Sequence, residues 1–272
     1  MNVTELYERG FAAYESNDFE QALADFTRAI ELAPDFAEPY VGRGFVHRLD
    51  GRCEQAVADF TAAIRLNPQH ADAFEGRAGV YYLVGKFDES VADYTAAIRH
   101  GADYAPAYHG RAGAHSALGQ LDQAAEDYHR AISRDPSNWM SHYFLADVLT
   151  RLKQFREALV HYQEAITLEP DGLDAEVFAF YAWLLATCPE RPLRDAVKAV
   201  EMAKVACELT DWLEDQPMGI LAAAYAANGD FAEAITWQEK ACELAADERK
   251  LIQEDRLSLY RSKQMITNEG EP

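Results

Sequence analysis

The sequence predicts an all-α protein in which pairs of helices stack into a solenoid. Nearly the same helical phrase occurs twice, as LADFTRAIELAP ending at Pro34 and as VADFTAAIRLNP ending at Pro68, thirty-four residues later. Related phrases begin at Ser90, Ala124 and Ala158. A fixed period of this length is the signature of a repeat architecture, in which each repeat buries its apolar face against its neighbours.

Five consecutive frames of thirty-four residues follow one another without a gap. They begin at Val3, Ala37, Ala71, Ala105 and Trp139. Within each frame, apolar and small residues recur at steps of three and four in two blocks, which is the periodicity of an amphipathic helix. A short break, such as SNDF, DGRC or VGKF, separates the two blocks. Each repeat is therefore predicted to be a helix, a tight turn and a second helix.

Five positions of the repeat explain how these helices would pack. Small residues let two helix backbones approach closely, and a Leu there would overpack the contact by about 1–3 kcal/mol. The small positions are 8 (Gly10, Gly44, Ala78, Ala112, Ala146), 20 (Ala22, Ala56, Ser90, Ala124, Ala158) and 27 (Ala29, Ala63, Ala97, Ala131, Ala165). The bulky positions are 24 (Phe26, Phe60, Tyr94, Tyr128, Tyr162) and 28 (Ile30, Ile64, Ile98, Ile132, Ile166). The bulky side chains are expected to fill the space between the small ones.

Proline at position 32 is expected to end the second helix, because it lacks an N–H and clashes with the preceding turn. Four repeats have it, as Pro34, Pro68, Pro136 and Pro170. The third repeat has Ala102 instead, and Gly101 before it can close the helix in a left-handed conformation.

Small residues at positions 8, 20 and 27, an aromatic residue at 24 and proline at 32 resemble the tetratricopeptide repeat. The resemblance covers residues 3–172, and it implies a right-handed α-solenoid of about seven helix-turn-helix units with a capping helix. Residues 173–248 fit two further units, the second starting near Asp215 and the first with a longer turn around 188–193. Residues 249–262 are predicted to form the cap, with Leu244, Leu251, Ile252 and Leu259 near one face, and residues 263–272 to form a frayed tail.

Composition excludes several classes of partner. The net charge is −21, from 46 acidic and 25 basic side chains, so the chain would repel nucleic acid and anionic lipid. No stretch approaches about 18 uninterrupted apolar residues, and the first residues do not resemble a signal peptide. Cys53, Cys188, Cys207 and Cys242 have no metal-site or disulfide spacing, so they are interpreted as reduced, buried residues. A cytoplasmic protein is predicted.

The chain has no motif that would carry catalysis, a cofactor or a metal. The sequences GxxxxGK, HExxH and GxSxG are absent, and the eight histidines fall at unrelated positions, apart from His47 and His115. We therefore predict that the protein is not an enzyme and that it works as a scaffold or adaptor, binding a protein or peptide on the concave face lined by the first helix of each repeat.

Repeat positions 2, 5, 9 and 12 share the face opposite the packed positions, so they are predicted to line that groove. The candidate binding residues are Tyr7, Phe11, Tyr14, Phe45, Arg48, Glu75, Gly79, Tyr82, His109, Gly113, Tyr143 and Asp147. The same face includes Val41, Asp72 and Thr150. Its first part is aromatic and most of its charge is acidic, which favours an apolar or basic peptide or an amphipathic helix.

Family members that grip the C-terminal carboxylate of chaperones carry Lys at position 5 and Asn at position 9 of the first repeat. Tyr7 and Phe11 occupy those positions here, and Glu75, Gly76 and Gly110 stand where further donors would be needed. Binding of chaperone tails is therefore not expected. Two alternatives remain open: the aromatic residues pack against the next repeat, or the protein self-assembles with its groove occupied by a neighbouring copy.

Two further hypotheses come from comparing the repeats. Arginine at position 7 and aspartate at position 23 occur together in repeats one to four, as Arg9, Arg43, Arg77 and Arg111 with Asp25, Asp59, Asp93 and Asp127. Both positions change together in the fifth repeat, to Leu145 and His161, and in the seventh, to Leu221 and Trp237. This joint change predicts a contact between Arg and Asp across each repeat. The alternative is that the shared pair only marks a single duplication event. Repeats three and four carry glycine at positions 6 and 9, as Gly76, Gly79, Gly110 and Gly113. These glycines either allow close packing or open a notch walled by Glu75, Tyr82 and His109.

Overall fold

The computed structural model describes residues 1–169 and 172–267, and in these residues it contains α-helices and one short 3₁₀ helix but no strand. The prediction of an all-α repeat fold is confirmed. The first eight helices are α1 (Val3–Glu15), α2 (Phe19–Leu32), α3 (Ala37–Leu49), α4 (Cys53–Leu66), α5 (Ala71–Leu83), α6 (Phe87–Arg99), α7 (Ala105–Ala117) and α8 (Leu121–Arg134). The others are α9 (Trp139–Arg151), α10 (Phe155–Leu168), α11 (Ala175–Thr187), α12 (Ala196–Leu209), α13 (Asp215–Ala227), α14 (Phe231–Leu244) and α15 (Asp247–Arg261).

The helices group into two compact bodies, an N-terminal half (Met1–Pro136) and a C-terminal half (Ser137–Pro272). In both halves successive helices pack as antiparallel pairs, such as α1 with α2 and α9 with α10. Pro170, which was expected to end α10, lies outside the described residues, as does the part of the predicted tail after residue 267. None of the described helices is both long enough and apolar enough to cross a bilayer.

The core of each pair is built from the predicted small and bulky positions. Ala22, Ala29, Ala56 and Ala63 are fully buried, and so are the rings of Phe26 and Phe60. In the regular repeats, the turn between the two paired helices contains one residue with a positive φ. This residue is glycine in several repeats, for example Gly51 (φ 70°), whereas in the fifth repeat it is Lys153 (φ 61°). Gly101 (φ 115°) follows α6, as predicted for the repeat without a terminal proline.

The predicted contact between Arg and Asp is confirmed in all four repeats. Both carboxylate oxygens of Asp59 accept hydrogen bonds from Arg43, at 2.8 and 2.7 Å, and Asp127 accepts from Arg111 at 2.7 and 2.8 Å. Asp93 with Arg77 and Asp25 with Arg9 have the same arrangement. Such two-point bonds fix the planar guanidinium in one orientation.

The same arginines also link each repeat to the one before it. The second terminal nitrogen of Arg43, Arg77 and Arg111 donates to a threonine hydroxyl at position 25 of the preceding repeat, at 3.0–3.2 Å; the acceptors are Thr27, Thr61 and Thr95. Arg9 lies in the first of the described repeats, and its side chain is 48% exposed against 13% for Arg111. The arginine therefore connects three helices within the N-terminal half.

The C-terminal half departs from the regular pattern in two places. Between α11 and α12 the connection is long and contains the 3₁₀ helix Arg191–Leu193. The four apolar residues that the sequence placed near one face of the predicted cap do not form its buried side, and the first of them, Leu244, is the last residue of α14. Leu244, Leu251 and Ile252 are 44%, 67% and 53% exposed, and Leu259 is half-buried.

The buried side of α15 is instead more polar than the sequence suggests. It presents Gln253, Arg256, Leu257 and Tyr260, which follow one helical stripe. Gln253 accepts a hydrogen bond from Gln238 of α14 at 2.7 Å and donates one to Asp215 of α13 at 3.2 Å. Hydrogen bonds, as well as apolar contact, therefore hold this helix against its neighbours.

The described cysteines are free thiols. Cys188 and Cys207 are buried as predicted, whereas Cys53 and Cys242 are only half-buried. Burial raises the pKa of the Cys207 thiol to about 12, so it stays protonated at neutral pH.

Candidate functional site

In the N-terminal half, the first helices of the repeats form a continuous surface. Helices α1, α3, α5 and α7 contact one another in this order. We call the surface that they share the first-helix face. Ten of the twelve candidate residues belong to these helices: Tyr7, Phe11, Tyr14, Phe45, Arg48, Glu75, Gly79, Tyr82, His109 and Gly113. Tyr143 and Asp147 belong to α9, in the C-terminal half, where Tyr143 is buried and Asp147 half-buried.

The α1 end of the first-helix face is a row of aromatic rings. The ring of Tyr7 lies 6.0 Å from that of Phe26, in the core, and 5.8 Å from that of Phe36, before α3. Phe11 lies 6.3 Å from Tyr7 and 6.4 Å from Tyr14, and 45% of its side chain is exposed. Tyr7 is thus partly a packing residue, whereas Phe11 presents an apolar ring to the outside.

An arginine occupies the middle of the first-helix face. Phe45 packs edge-on against the buried ring of Phe60 at 5.1 Å, and the Arg48 guanidinium lies 5.3 Å from the centre of the Phe45 ring. A methyl group added at Gly79 would lie 3.0 Å from a terminal nitrogen of Arg48. The absence of a side chain at Gly79 therefore leaves the space into which Arg48 reaches.

The Glu75 carboxylate lies next to Arg48 and is held by a tyrosine. The hydroxyl of Tyr104 donates a hydrogen bond to it, and burial raises the pKa of Glu75 above its usual range. Burial also raises the pKa of Tyr94, whose hydroxyl lies 3.6 Å from the added methyl position at Gly79, to about 12. The middle of this face is therefore polar, partly dehydrated and supported by core residues.

The α7 end combines exposed and supported rings. Tyr82 is 41% exposed and packs edge-on against Phe87 at 5.5 Å. His109 packs edge-on against Tyr128 at 5.4 Å, and its burial lowers the pKa of the imidazole, which favours the neutral form. A methyl group at Gly113 would meet nothing closer than Tyr82 at 3.5 Å, an ordinary van der Waals contact.

The glycines at positions 6 and 9 serve different purposes. A methyl group at Gly76 would lie 2.4 Å from the Phe60 ring, and one at Gly110 would lie 2.3 Å from the Tyr94 ring. The position 6 glycines thus make room for the aromatic residue of the preceding repeat, which is the packing alternative. At position 9, by contrast, a methyl group at Gly79 would be close only to the flexible end of Arg48, and one at Gly113 would make only ordinary van der Waals contacts.

This difference predicts opposite effects of two alanine substitutions in one helix. Gly113→Ala should raise the free energy of unfolding by about 0.5–1 kcal/mol, because alanine favours the helix. Gly110→Ala should lower it, because the added methyl group collides with a buried ring. Urea unfolding of both variants checks the signs, and a stabilised Gly110→Ala protein would contradict the packing assignment.

Carboxylates surround the aromatic residues of the first-helix face. Burial is the main reason that the pKa of Tyr7 is raised, and the charges of Glu38 and Asp72 raise it further. The pKa of Tyr104 is also raised by burial, by its hydrogen bond to Glu75 and by the charge of Asp72. The electrostatic potential at these rings is therefore negative, which attracts cationic groups.

The C-terminal half has a related arrangement that the sequence analysis did not identify. Burial raises the pKa of Tyr143, and the charges of Glu176, Asp147 and Asp174 add to the shift. A shallow, open cleft lies between α11 and α13, lined by Ala175, Glu176, Ala179, Phe180, Glu214, Gln216, Pro217 and Ile220. The sequence did hold a signal for Glu176. If the fully buried Ala182 is taken as the small residue at position 8 of a sixth repeat, Glu176 falls at position 2 of that repeat, one of the positions predicted to line the groove.

Comparison with known proteins identifies the family. Tetratricopeptide repeat families match residues 3–36, 46–106, 109–172 and 217–248. No curated protein sequence matches the chain.

Many solved structures share the fold at low sequence identity. MamA 41-end from Desulfovibrio magneticus RS-1 is 20% identical, with a TM-score of 0.57 over 63% of this chain and 98% of its own. YrrB, described as a TPR protein with an unusual peptide-binding site, is 18% identical, with a TM-score of 0.54 over 85% of this chain and 98% of its own. A tetratricopeptide repeat protein from Parabacteroides merdae is 15% identical, with a TM-score of 0.58 over 95% of this chain and 98% of its own. The chain belongs to the tetratricopeptide repeat family.

Proposed function

We propose that the protein is a non-enzymatic scaffold that binds a protein partner on the first-helix face of α1, α3, α5 and α7. The bound segment is an extended peptide or an amphipathic helix that carries apolar and basic side chains. The observation that carries this proposal is the combination of exposed rings, Phe11 and Tyr82, with room for a side chain at Gly113 without a collision, on a face that carries several carboxylates.

Charge complementarity selects the partner. Glu38 and Asp72 act on Tyr7, and Asp72 and Glu75 act on Tyr104, so negative charge is distributed along this face. A lysine or arginine of the partner would gain from this potential, and its aliphatic part could cover Phe11 or Tyr82. An acidic segment would be repelled, both by these carboxylates and by the net charge of −21.

Space at position 9 of the repeat supports a central anchor. At Gly113 the nearest atoms to an added methyl group belong to the exposed Tyr82 and to the hydroxyl of Tyr128, at 3.5 and 3.8 Å. A bulky partner side chain at this place would contact Tyr82 and would lie beside His109. Anchors of this kind usually supply most of the energy of an interface. The peptide-binding site described for YrrB belongs to that protein, and it supports a peptide as the class of ligand for a chain of this fold.

We expect Gly79→Leu and Gly113→Leu to abolish capture of the partner from a native lysate. Both should keep the helical circular-dichroism signal and cooperative melting, because a side chain at Gly79 displaces only the flexible end of Arg48 and one at Gly113 begins with ordinary van der Waals contacts. The control is Ala92→Leu, which adds the same bulk at an exposed site on α6. Capture by the parent chain should weaken as salt is raised.

The outcomes are distinguishable. Partner capture that survives both leucine substitutions would place the anchor elsewhere. Unfolding of either variant would mean that position 9 serves packing, and capture that is lost equally in Ala92→Leu would show that the effect is not specific to the first-helix face.

A second candidate function is self-assembly, and the exposed side of α15 favours it. Leu251 and Ile252 are largely exposed, and they follow Lys250 directly, so that this helix carries the apolar and basic chemistry that the first-helix face of another copy would accept. Light scattering against concentration tests this candidate. An apparent mass that rises with concentration in the parent chain but not in Leu251→Ser/Ile252→Ser would support it, and a constant mass would exclude it.

A further inference from the structure

A buried arginine in the C-terminal half has no counter-ion among the described residues. Arg256 of α15 is 8% exposed, and its guanidinium lies 4.9 Å from the centre of the Trp183 ring of α11. The part of the chain that the structure describes offers it no hydrogen bond and no ion pair. Taking a charge out of water costs several kcal/mol unless it is paired, so such a group normally has an acceptor.

Two more buried donors lie around the same arginine. The indole Nε1 of Trp183 and the hydroxyl of Tyr260 are buried without a hydrogen-bond partner. Trp183 is the residue over which the guanidinium lies, and Tyr260 follows Arg256 by one helical turn, on the same stripe of α15. The Arg256 charge acts on the Tyr260 hydroxyl and partly offsets the rise in pKa that burial causes. An indole and a guanidinium can only donate, and the Tyr260 hydroxyl, which can also accept, bonds to neither of them, so all three groups lack a hydrogen bond among the described residues.

The nearby carboxylate is already in use. Asp215 is 3% exposed and accepts hydrogen bonds from Arg249 at 2.7 and 3.1 Å and from Gln253 at 3.2 Å. Asp215 is therefore occupied by Arg249, whose side chain is 56% exposed, and it forms no ion pair with the buried Arg256 in the described part of the chain. Gln238 Oε1 is another buried atom without a partner, but it is a neutral amide oxygen and cannot supply the missing charge.

We propose that Arg256, Trp183 Nε1 and the Tyr260 hydroxyl form a binding site for one small oxyanion, of the carboxylate or inorganic phosphate class. Oxygen acceptors would satisfy the three donors at once, and hydrogen bonds between charged groups are about twice as strong as neutral ones. The bound anion would join α15 to α11, so that the packing of the C-terminal helix depends on anion concentration. This site is separate from the first-helix face, and it does not depend on the proposed function.

The test measures thermal unfolding of the full chain against added sodium phosphate and, separately, sodium acetate, with ionic strength held constant by sodium chloride. A ligand of the folded state raises Tm as its concentration exceeds its Kd. We expect Tm to rise with at least one of the two anions. A rise with acetate alone would assign a carboxylate ligand, and a rise with phosphate, alone or together with acetate, would assign a site that accepts the larger oxyanion.

Conservative variants show whether the effect belongs to this site. Trp183→Phe and Tyr260→Phe keep the rings but remove one donor each, so we expect each to weaken anion affinity about tenfold, which corresponds to about 1.4 kcal/mol. Arg256→Met should remove the dependence on anions and, without anion, melt at or above the parent temperature, because a buried unpaired charge is lost. The matched control is Trp237→Phe, since the Trp237 Nε1 donates to Glu233 at an exposed place.

Two results would overturn the proposal. One is a Tm that neither anion changes in the parent chain. The other is an anion effect that Trp183→Phe, Tyr260→Phe and Arg256→Met all retain in full, as Trp237→Phe should, because the anion would then act outside this site.

Discussion

Asp127→Ala should lower the free energy of unfolding by about 3–5 kcal/mol, the cost of breaking a buried ion pair from one side. Asp127 is 3% exposed, and both of its oxygens accept from Arg111, whose side chain is 13% exposed. The substitution leaves this guanidinium buried with one hydrogen bond, to Thr95. The carboxylate also lies 3.9 Å from His115 Nε2 and from a terminal nitrogen of Arg130.

Two controls accompany this variant in urea unfolding. Asp25→Ala should cost less, because Arg9 is 48% exposed and can turn to water. Arg111→Met/Asp127→Leu should recover most of the loss, since replacing both members of a buried pair with apolar groups is often neutral. The fifth repeat already carries the fully buried Leu145 at the arginine position. Equal losses for Asp25→Ala and Asp127→Ala would contradict the role of burial.

The Arg and Asp contact could be predicted because the sequence contains its own comparison. Two positions sixteen residues apart hold Arg and Asp in four repeats and change together in the fifth, as Leu145 and His161, which is the expected pattern for a contacting pair. The threonine that completes the link was visible as Thr27, Thr61 and Thr95, but its role could not be deduced. The threonine hydroxyl accepts its hydrogen bond from the arginine of the next repeat, and the distance between these two groups depends on how consecutive repeats stack.

The glycines show a similar limit. Their positions identified Gly76, Gly79, Gly110 and Gly113 as a group, because glycine in a helix is costly. Only the geometry separates position 6, where an aromatic ring of the preceding repeat fills the space, from position 9. The candidate residues of the first-helix face thus remain predictions about binding, although their exposure and their surroundings are now defined.

The capping helix was predicted at residues 249–262 and is observed as α15, but the sequence did not show which of its sides is buried. Leucine spacing indicated Leu244, Leu251 and Ile252, whereas polar contacts of Gln253 and Arg256 determine which side is buried. Hydrophobic periodicity cannot show which side of a helix is buried when hydrogen bonds to buried partners hold it, because such residues resemble a solvated face. The burial of Arg256 was missed for this reason.

Phe60→Ala should also lower the free energy of unfolding by about 3–5 kcal/mol, through loss of apolar burial and the cavity that remains. Phe60 is fully buried and lies edge-on to Phe45 at 5.1 Å. Its ring fills the space between two glycines, because a methyl group would approach it to 2.9 Å at Gly44 and 2.4 Å at Gly76. The control for loss of an aromatic side chain is Phe11→Ala, because Phe11 is exposed. This substitution should lower the free energy of unfolding much less.

The cavity should reverse the sign of a second substitution. Gly76→Ala should destabilise the parent chain, because its methyl group collides with a ring that core neighbours hold in place. In the Phe60→Ala background the same methyl group enters empty space, so Gly76→Ala should stabilise the protein by about 0.5–1 kcal/mol through helix propensity and partial filling of the cavity. A double-mutant cycle by urea unfolding measures this coupling. If the two substitutions are additive, the ring of Phe60 does not determine why position 6 is glycine, and close approach of the helix backbones alone would have to explain it.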